Sequence, residues 1–185
     1  MKLLIASDLH GSAVYTEKLI AAFAREKAEK LILLGDLLYH GPRNDLPEEY
    51  GPKKVIDLLE SVKDKILAVR GNCDTEVDQA VLSFPIMAPY AYLFAEGVEL
   101  FCTHGHLYSF ENLPPLSADT VFLQGHTHTP FRRVVYGTPC LNPGSVSLPR
   151  GGSFHSYMTL QNGVFEWKTL EGVVFDRFDR KEERK

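Results

Sequence analysis

Apolar residues gather in short runs that alternate with stretches of helical period through the first half of the chain. Leu3–Ser7 is the first run, and Asp8-Leu9-His10-Gly11 breaks it. Within Thr16–Lys30, Ile20, Phe23, Ala24 and Ala28 fall on one helical face. Leu31–Leu34 is the second run and ends in Gly35-Asp36. Pro52 is placed to open a helix, and Val55, Leu59 and Val62 recur at helical spacing after it. Ile66–Val69 is the third run and ends in Arg70-Gly71-Asn72. Such runs separated by helices predict βαβ units and a parallel sheet covered on both faces. Ligands of open α/β sheets bind outside the carboxyl ends of the strands. Asp8, His10, Asp36 and Asn72 are therefore expected at one sheet edge.

The second half is richer in strand signals: Glu99–Thr103, Val121–Gln124, Tyr157–Leu160, Val164–Thr169 and Val173–Phe178. Asn162-Gly163 between two of them signals a hairpin. This half reads as a more antiparallel layer. Proline-rich loops are expected near His40–Tyr50 and Gly105–Asp119, and loops of this length often carry function. Arg177–Lys185 is mostly charged and should fray, which sets one domain over residues 1–178 and a tail over 179–185. Tyr90, Tyr92, Phe94 and Trp167 read as core or interface aromatics.

Composition narrows the function classes. A net charge of −4 on 185 residues gives no support to a nucleic-acid-binding or polybasic membrane surface. No apolar run approaches the ~18 residues that span a membrane, and the N-terminal run is too short for a signal peptide. Cys73, Cys102 and Cys140 are odd in number and scattered, as reduced thiols of a cytoplasmic protein would be.

The chemistry lies in five ordered fragments. They are Asp8-Leu9-His10, Gly35-Asp36, Gly71-Asn72-Cys73-Asp74, Thr103-His104-Gly105-His106 and Gly125-His126-Thr127-His128, and they hold five of the seven histidines. Each follows an apolar run. In an extended segment residues i and i+2 share a side, so Asp8 with His10, and His126 with His128, are expected to reach one point together. Carboxylate, imidazole and amide oxygen suit divalent ions such as Mn, Fe and Zn. The absence of cysteine among the expected ligands argues against a structural zinc site.

The order DxH…GD…GN…H…GHxH resembles that of the calcineurin-like metallophosphoesterases over residues 1 to about 150. Longer strings are similar to the small bacterial phosphodiesterases of the YfcE type: residues 35–44, Arg70–Asp74, Thr103–Leu107 and Asn142–Ser147. The resemblance implies an α/β fold, a four-layer αββα sandwich with a two-metal site between its sheets. It implies that Asp8, His10 and His128 bind one metal, Asn72, His104 and His126 the other, and that Asp36 bridges them. Mn2+ is the first expectation, with Fe, Ni or Zn suited to the same ligands. The implied reaction is hydrolysis of a small phosphodiester by a hydroxide shared between the metals. Homodimers or homotetramers are an expectation by analogy.

Where many members carry Gly-Asn-His, this chain has Cys73. A thiol is a weak hydrogen-bond donor, so substrates with good, aryl-type leaving groups are expected unless His40 or His106 supplies the proton. Arg70 reads as a phosphate contact or a structural pair, and Asp74 as a residue that orients a ligand. Two other readings stand beside the diesterase: a phosphomonoesterase or nucleotide pyrophosphatase on the same site, and a non-catalytic interaction scaffold.

Overall fold

A computed structural model describes residues 1–182. The first half builds as βαβ units: β1 (Leu3–Ala6), α1 (Ala13–Arg25), β2 (Lys30–Leu33), α2 (Pro52–Glu60) and β3 (Ile66–Ala68). The three strands pair in parallel. Then come α3 (Glu76–Val81), β4 (Tyr90–Ala95), β5 (Val98–Thr103), β6 (Thr120–Leu123), β7 (Phe131–Val135) and β8 (Thr138–Asn142), followed by β9 (Ser156–Gln161), β10 (Val164–Thr169) and β11 (Val174–Asp179).

The strands form two sheets, ordered β11-β10-β9-β1-β2-β3 and β4-β5-β6-β8-β7. The expected antiparallel second layer is therefore split. β9 returns antiparallel to β1 and carries β10 and β11 into the first sheet. The second sheet has a parallel centre, β5-β6-β8, with antiparallel strands at both edges. Asn162 and Gly163 take left-handed backbone in the β9–β10 turn, as the hairpin signal requires.

Alternation along the strands sorts the core. Leu3 and Ile5, with Trp167 of β10, face Leu100, Cys102, Val121 and Leu123 of the second sheet, while Leu4 and Ala6 face Leu19, Phe23, Val55 and Leu59 of the helices. Each fully buried side chain of this size contributes roughly 1.5–3 kcal/mol. The helical layer, α1 and α2, covers the first sheet. The expected outer helical layer over the second sheet is replaced, among the described residues, by the loop 105–119: Tyr108, Phe110, Leu113 and Leu116 pack on Phe101 and Phe122.

Other expectations change in detail. α1 ends at Arg25 rather than near Lys30, and Lys27 turns left-handed just beyond it. Its buried stripe is Thr16, Leu19, Ala22 and Phe23, with Ala24 turned outward. Tyr90, Tyr92 and Phe94 are not core: they project from the outer face of β4, an edge strand whose inner face carries Ala91, Leu93 and Ala95. The charged C-terminal stretch is ordered beyond Phe178, since Arg180 is buried and donates to Ala118 O at 2.9 Å. Residues 183–185 of the expected tail lie outside the described residues.

Both sheets aim the carboxyl ends of their parallel strands at one edge. β1, β2 and β3 lead there to Asp8 and His10, Asp36, and Asn72. β5 and β6 lead to His104 and to the His126–His128 loop.

Candidate metal centre

The sequence-predicted ligands meet at this edge. Asp8 Oδ1 lies 3.4 Å from His128 Nε2 and 3.6 Å from His10 Nε2, and the two Nε2 atoms are 3.2 Å apart. Asn72 Oδ1 lies 3.0 Å from His104 Nε2, which is 3.2 Å from His126 Nδ1. Asp36 Oδ2 stands between the groups, 3.6 Å from His10 Nε2 and 3.4 Å from His104 Nε2.

Hydrogen bonds outside the cluster set the tautomers. Nδ1 of His10 donates to Tyr39 O at 2.9 Å, that of His104 to Leu34 O at 2.7 Å, and that of His128 to Leu148 O at 2.7 Å. A carbonyl only accepts, so each neutral ring turns an Nε2 lone pair inward. Asn72 Nδ2 donates to Cys73 Sγ at 3.2 Å, which turns Oδ1 inward as well. Asp8 Oδ1 is buried and has no hydrogen-bond partner among the described residues. With these rings neutral, lone pairs face lone pairs at 3.0–3.2 Å, an arrangement that positive charge among them, a proton or a metal ion, relieves. The electrostatics agree. Burial opposes charge on His104, but Asp36 and Asp8 outweigh it and raise the ring to about 9. Burial likewise opposes ionisation of Asp8, yet His10 and His128 hold its carboxyl well below the usual range.

The extended-segment argument for the i, i+2 pairs fails in its mechanism. β1 ends at Ala6, and Asp8, His10, Asp36, His126 and His128 all have left-handed backbone, with φ between 47° and 66°. Such conformations cost about 1–2 kcal/mol for a residue with a Cβ and persist where surroundings over-determine them. Here the surroundings are a set of long-range braces. Asp8 N donates to Gly35 O at 3.1 Å and His10 N to Asp36 O at 2.9 Å. Asp8 O accepts from Ser145 Oγ at 2.9 Å and Ser147 Oγ at 3.0 Å. Asn142 Nδ2 donates to Gly125 O at 2.7 Å, and Trp167 Nε1 ties Asn142 O to the core at 2.7 Å.

Asp74 is the central brace. Its carboxylate accepts from Asp36 N (2.9 Å), Leu37 N (2.9 Å) and Gly71 N (2.7 Å), joining the ends of β2 and β3. Burial pushes this carboxyl up against those three donors. Two glycines are required by close approach. A Cβ on Gly71 would lie 2.1 Å from Asp36 Oδ1, and one on Gly125 would lie 1.9 Å from Ser7 Oγ.

The remaining candidates separate. Cys73 borders the cleft beside the cluster, and burial followed by the Asp36 charge pushes its thiol up to about 12. His106 sits beside His104 and His126, at ring distances of 5.4 and 6.4 Å, and lines a second cleft. Burial, then the two neighbouring rings, push it down to about 4. His40 does not line either cleft: its ring meets Tyr39 and Tyr50 edge-on. Arg70 likewise lines neither cleft, its Nε donating to Asp74 O at 3.3 Å. Arg43, Asn44 and Arg150 line the first cleft, of about 820 Å³; Arg43 and Asn44 lie in the 35–44 string but were given no role from the sequence, and no local pattern marks Arg150. The second cleft, about 470 Å³, shares Arg43, Asn72, His126 and Thr127 with the first.

A two-sheet α/β sandwich with this acceptor cluster at the strand ends defines a metallophosphoesterase-type protein. The chain belongs to the calcineurin-like phosphoesterase superfamily, whose domain matches residues 1–162. It is 51% identical over 164 residues to phosphodiesterase YfcE of Escherichia coli strain K12, covering 89% of each chain. A solved structure of Yfce, a phosphoesterase from E. coli, superposes with a TM-score of 0.92 at 47% identity, over 96% of this chain and 98% of that one. The probable metallophosphoesterase YsnB of Bacillus subtilis strain 168 is 28% identical over 172 residues, 88% of this chain and 86% of that protein.

Proposed function

We propose that this chain is a metal-dependent phosphodiesterase. The observation that carries the reading is the largely buried cluster of carboxylates and imidazoles opening onto two clefts that meet at Arg43, Asn72, His126 and Thr127. Two clefts suit the two ester arms of a diester, where a monoester has only one. The likeness to phosphodiesterase YfcE supports the same choice.

Asp8, His10 and His128 would hold one divalent ion and Asn72, His104 and His126 a second, with Asp36 shared. Two such ions supply Lewis acidity toward the phosphate and lower the pKa of a water between them. Mn2+ is the first choice, and Fe, Ni or Zn suit the same donors. The chain itself orients three of the seven proposed ligands through the Nδ1–carbonyl bonds of His10, His104 and His128, and braces the backbone of Asp8 and Asp36 through Ser145 and Asp74. Ligand orientation by such partners commonly changes metal affinity or activity by 10–100-fold.

Cys73 stands where an imidazole would aid the leaving oxygen, and its thiol is a weak donor. The enzyme therefore favours good, aryl-type leaving groups. Rates across aryl diesters of graded leaving-group pKa check this; a flat dependence under chemistry-limited conditions would sink the preference. The buried, unpaired cysteines support a reducing, cytoplasmic setting. Among the described residues no helix is long and apolar enough to cross a membrane. The exposed aromatic face of β4 supports self-association as a dimer or tetramer, testable by light scattering.

The test of function is hydrolysis of bis(p-nitrophenyl) phosphate with Mn2+, before and after chelation, against p-nitrophenyl phosphate and a nucleoside triphosphate. Faster turnover of either of the latter would favour the monoesterase or pyrophosphatase reading. No metal-dependent hydrolysis of any of the three would leave the scaffold reading.

A further inference from the structure

The larger cleft carries a charge pattern that hydrolysis of a simple diester does not require. Arg43 and Arg150 line it from two different loops. Among the described residues neither guanidinium pairs with a carboxylate, although acidic residues outnumber basic ones by 24 to 20. Among the described residues Asp36 is the one carboxylate lining this cleft. It gives one oxygen to Cys73 N at 2.8 Å and turns the other to the histidine cluster.

Arg150 is held in a definite pose. Its backbone N donates to His128 O at 3.0 Å, which fastens it to the loop of a cluster histidine. Its Nη2 donates to Asn44 Oδ1 at 2.8 Å, and Asn44 Nδ2 donates to His40 O at 2.7 Å. The second bond decides which end of the amide faces Arg150. Arg150 thus reaches across the cleft to the residue next to Arg43, leaving most of its N–H groups undirected. Two like charges lining one cleft repel, and an oxyanion between them offsets that repulsion. The guanidinium fork matches phosphate and carboxylate oxygens. The smaller cleft differs. It shares Arg43 but adds Glu111 and Phe110, which suit an uncharged group.

We propose that Arg43 and Arg150 form an anion subsite in the larger cleft. It selects phosphodiesters with one arm bearing a second oxyanion, phosphate or carboxylate, while the other arm lies in the smaller cleft against Phe110. The proposal rests on the phosphodiesterase reading.

The test uses three diesters with a p-nitrophenolate leaving group, whose other arm is ethyl, 2-carboxyethyl or 2-phosphoethyl. The wild-type kcat/KM should favour at least one anionic arm over ethyl by about tenfold or more, as charge-assisted bonds imply. Which anion is preferred distinguishes carboxylate from phosphate. Arg43→Gln and Arg150→Gln should each move that ratio toward one, and Arg150→Lys should retain part of it. Because the ratio is taken on one protein, loss of overall activity does not mimic the effect. No preference in the wild type overturns the subsite. So does an equal loss on all three diesters, which would place the arginines on the scissile phosphate. A second readout needs no metal: calorimetric titration of chelator-treated protein with inorganic phosphate at low ionic strength. Binding should weaken about tenfold in the double variant, and absent or unchanged binding refutes the subsite. If the wild type hydrolyses no diester yet binds phosphate through these arginines, the reaction assignment fails and the subsite stands.

Discussion

Replacing Asp74 by asparagine changes one atom and should cost the fold dearly. The carboxylate accepts three backbone N–H bonds at a position that is 1% exposed. Asparagine offers only one acceptor oxygen. Placed where Oδ2 was, it keeps Asp36 N and Gly71 N, but its NH2 then faces Leu37 N–H, donor against donor. An unsatisfied buried donor costs about 1–3 kcal/mol, and the two retained bonds lose their charge assistance, about 0.5–1 kcal/mol each. Relief from burying a charged carboxylate offsets part of this, so the expected loss is about 2–3 kcal/mol. The assay is urea denaturation of chelator-treated protein, because metal bound only to the folded state would mask the difference. Since the bonds position Asp36 and Gly71 beside the cluster, Mn2+ affinity should fall by roughly 10–100-fold as well. A stability change below about 0.5 kcal/mol, the ordinary range of surface substitutions, would refute the role given to Asp74.

Asp36→Asn should keep the bond from Cys73 N while reducing metal-dependent hydrolysis to background with the fold intact, as circular dichroism and turnover would report; wild-type turnover would refute the site. Gly71→Ala forces a methyl against Asp36 Oδ1 and N, so apo-protein stability should drop by about 1–3 kcal/mol or more, with metal titration showing the loss of Asp36 geometry. Glu26 gives a pH test away from the centre. Burial raises its carboxyl, but Lys2, Tyr157 and Lys168 outweigh this and lower it to about 2. A depressed folded pKa stabilises above the unfolded value and is lost as pH falls through the folded one. The deficit of Glu26→Gln should thus be full at neutral pH, about 2 kcal/mol after screening, and shrink between roughly pH 4.5 and 2. A deficit constant across that range would show that packing rather than charge is responsible.

Much of the centre was legible because its signals are local. Each candidate ligand follows an apolar run that becomes a strand paired in parallel, and parallel strands deliver their carboxyl ends to one edge. Asp8, His10, Asp36, Asn72, His104, His126 and His128 were readable for that reason. The position of His40 off both clefts was not legible, because a loop histidine beside two tyrosines carries no sign of which way it turns. β4, β7 and β8 were not called strands: β4 has large aromatics on its outward face, which blurs the alternation.

The sequence by itself determined the order of the candidate ligands, the parallel βαβ start, the hairpin at Asn162-Gly163 and the donor chemistry. All of these follow from runs, breaks and residue types within a few positions. Only the tertiary structure decided which sheet took β9, β10 and β11, and that a loop rather than a helix covers the second sheet. It alone imposed left-handed backbone on five cluster residues, because the bonds that hold it come from far along the chain: Ser145 and Ser147 to Asp8 O, and Asp74 to Asp36 N. It also placed Arg43 and Arg150 on one cleft. Such contacts depend on how the loops close over the sheet edge, and no periodicity in the chain records that.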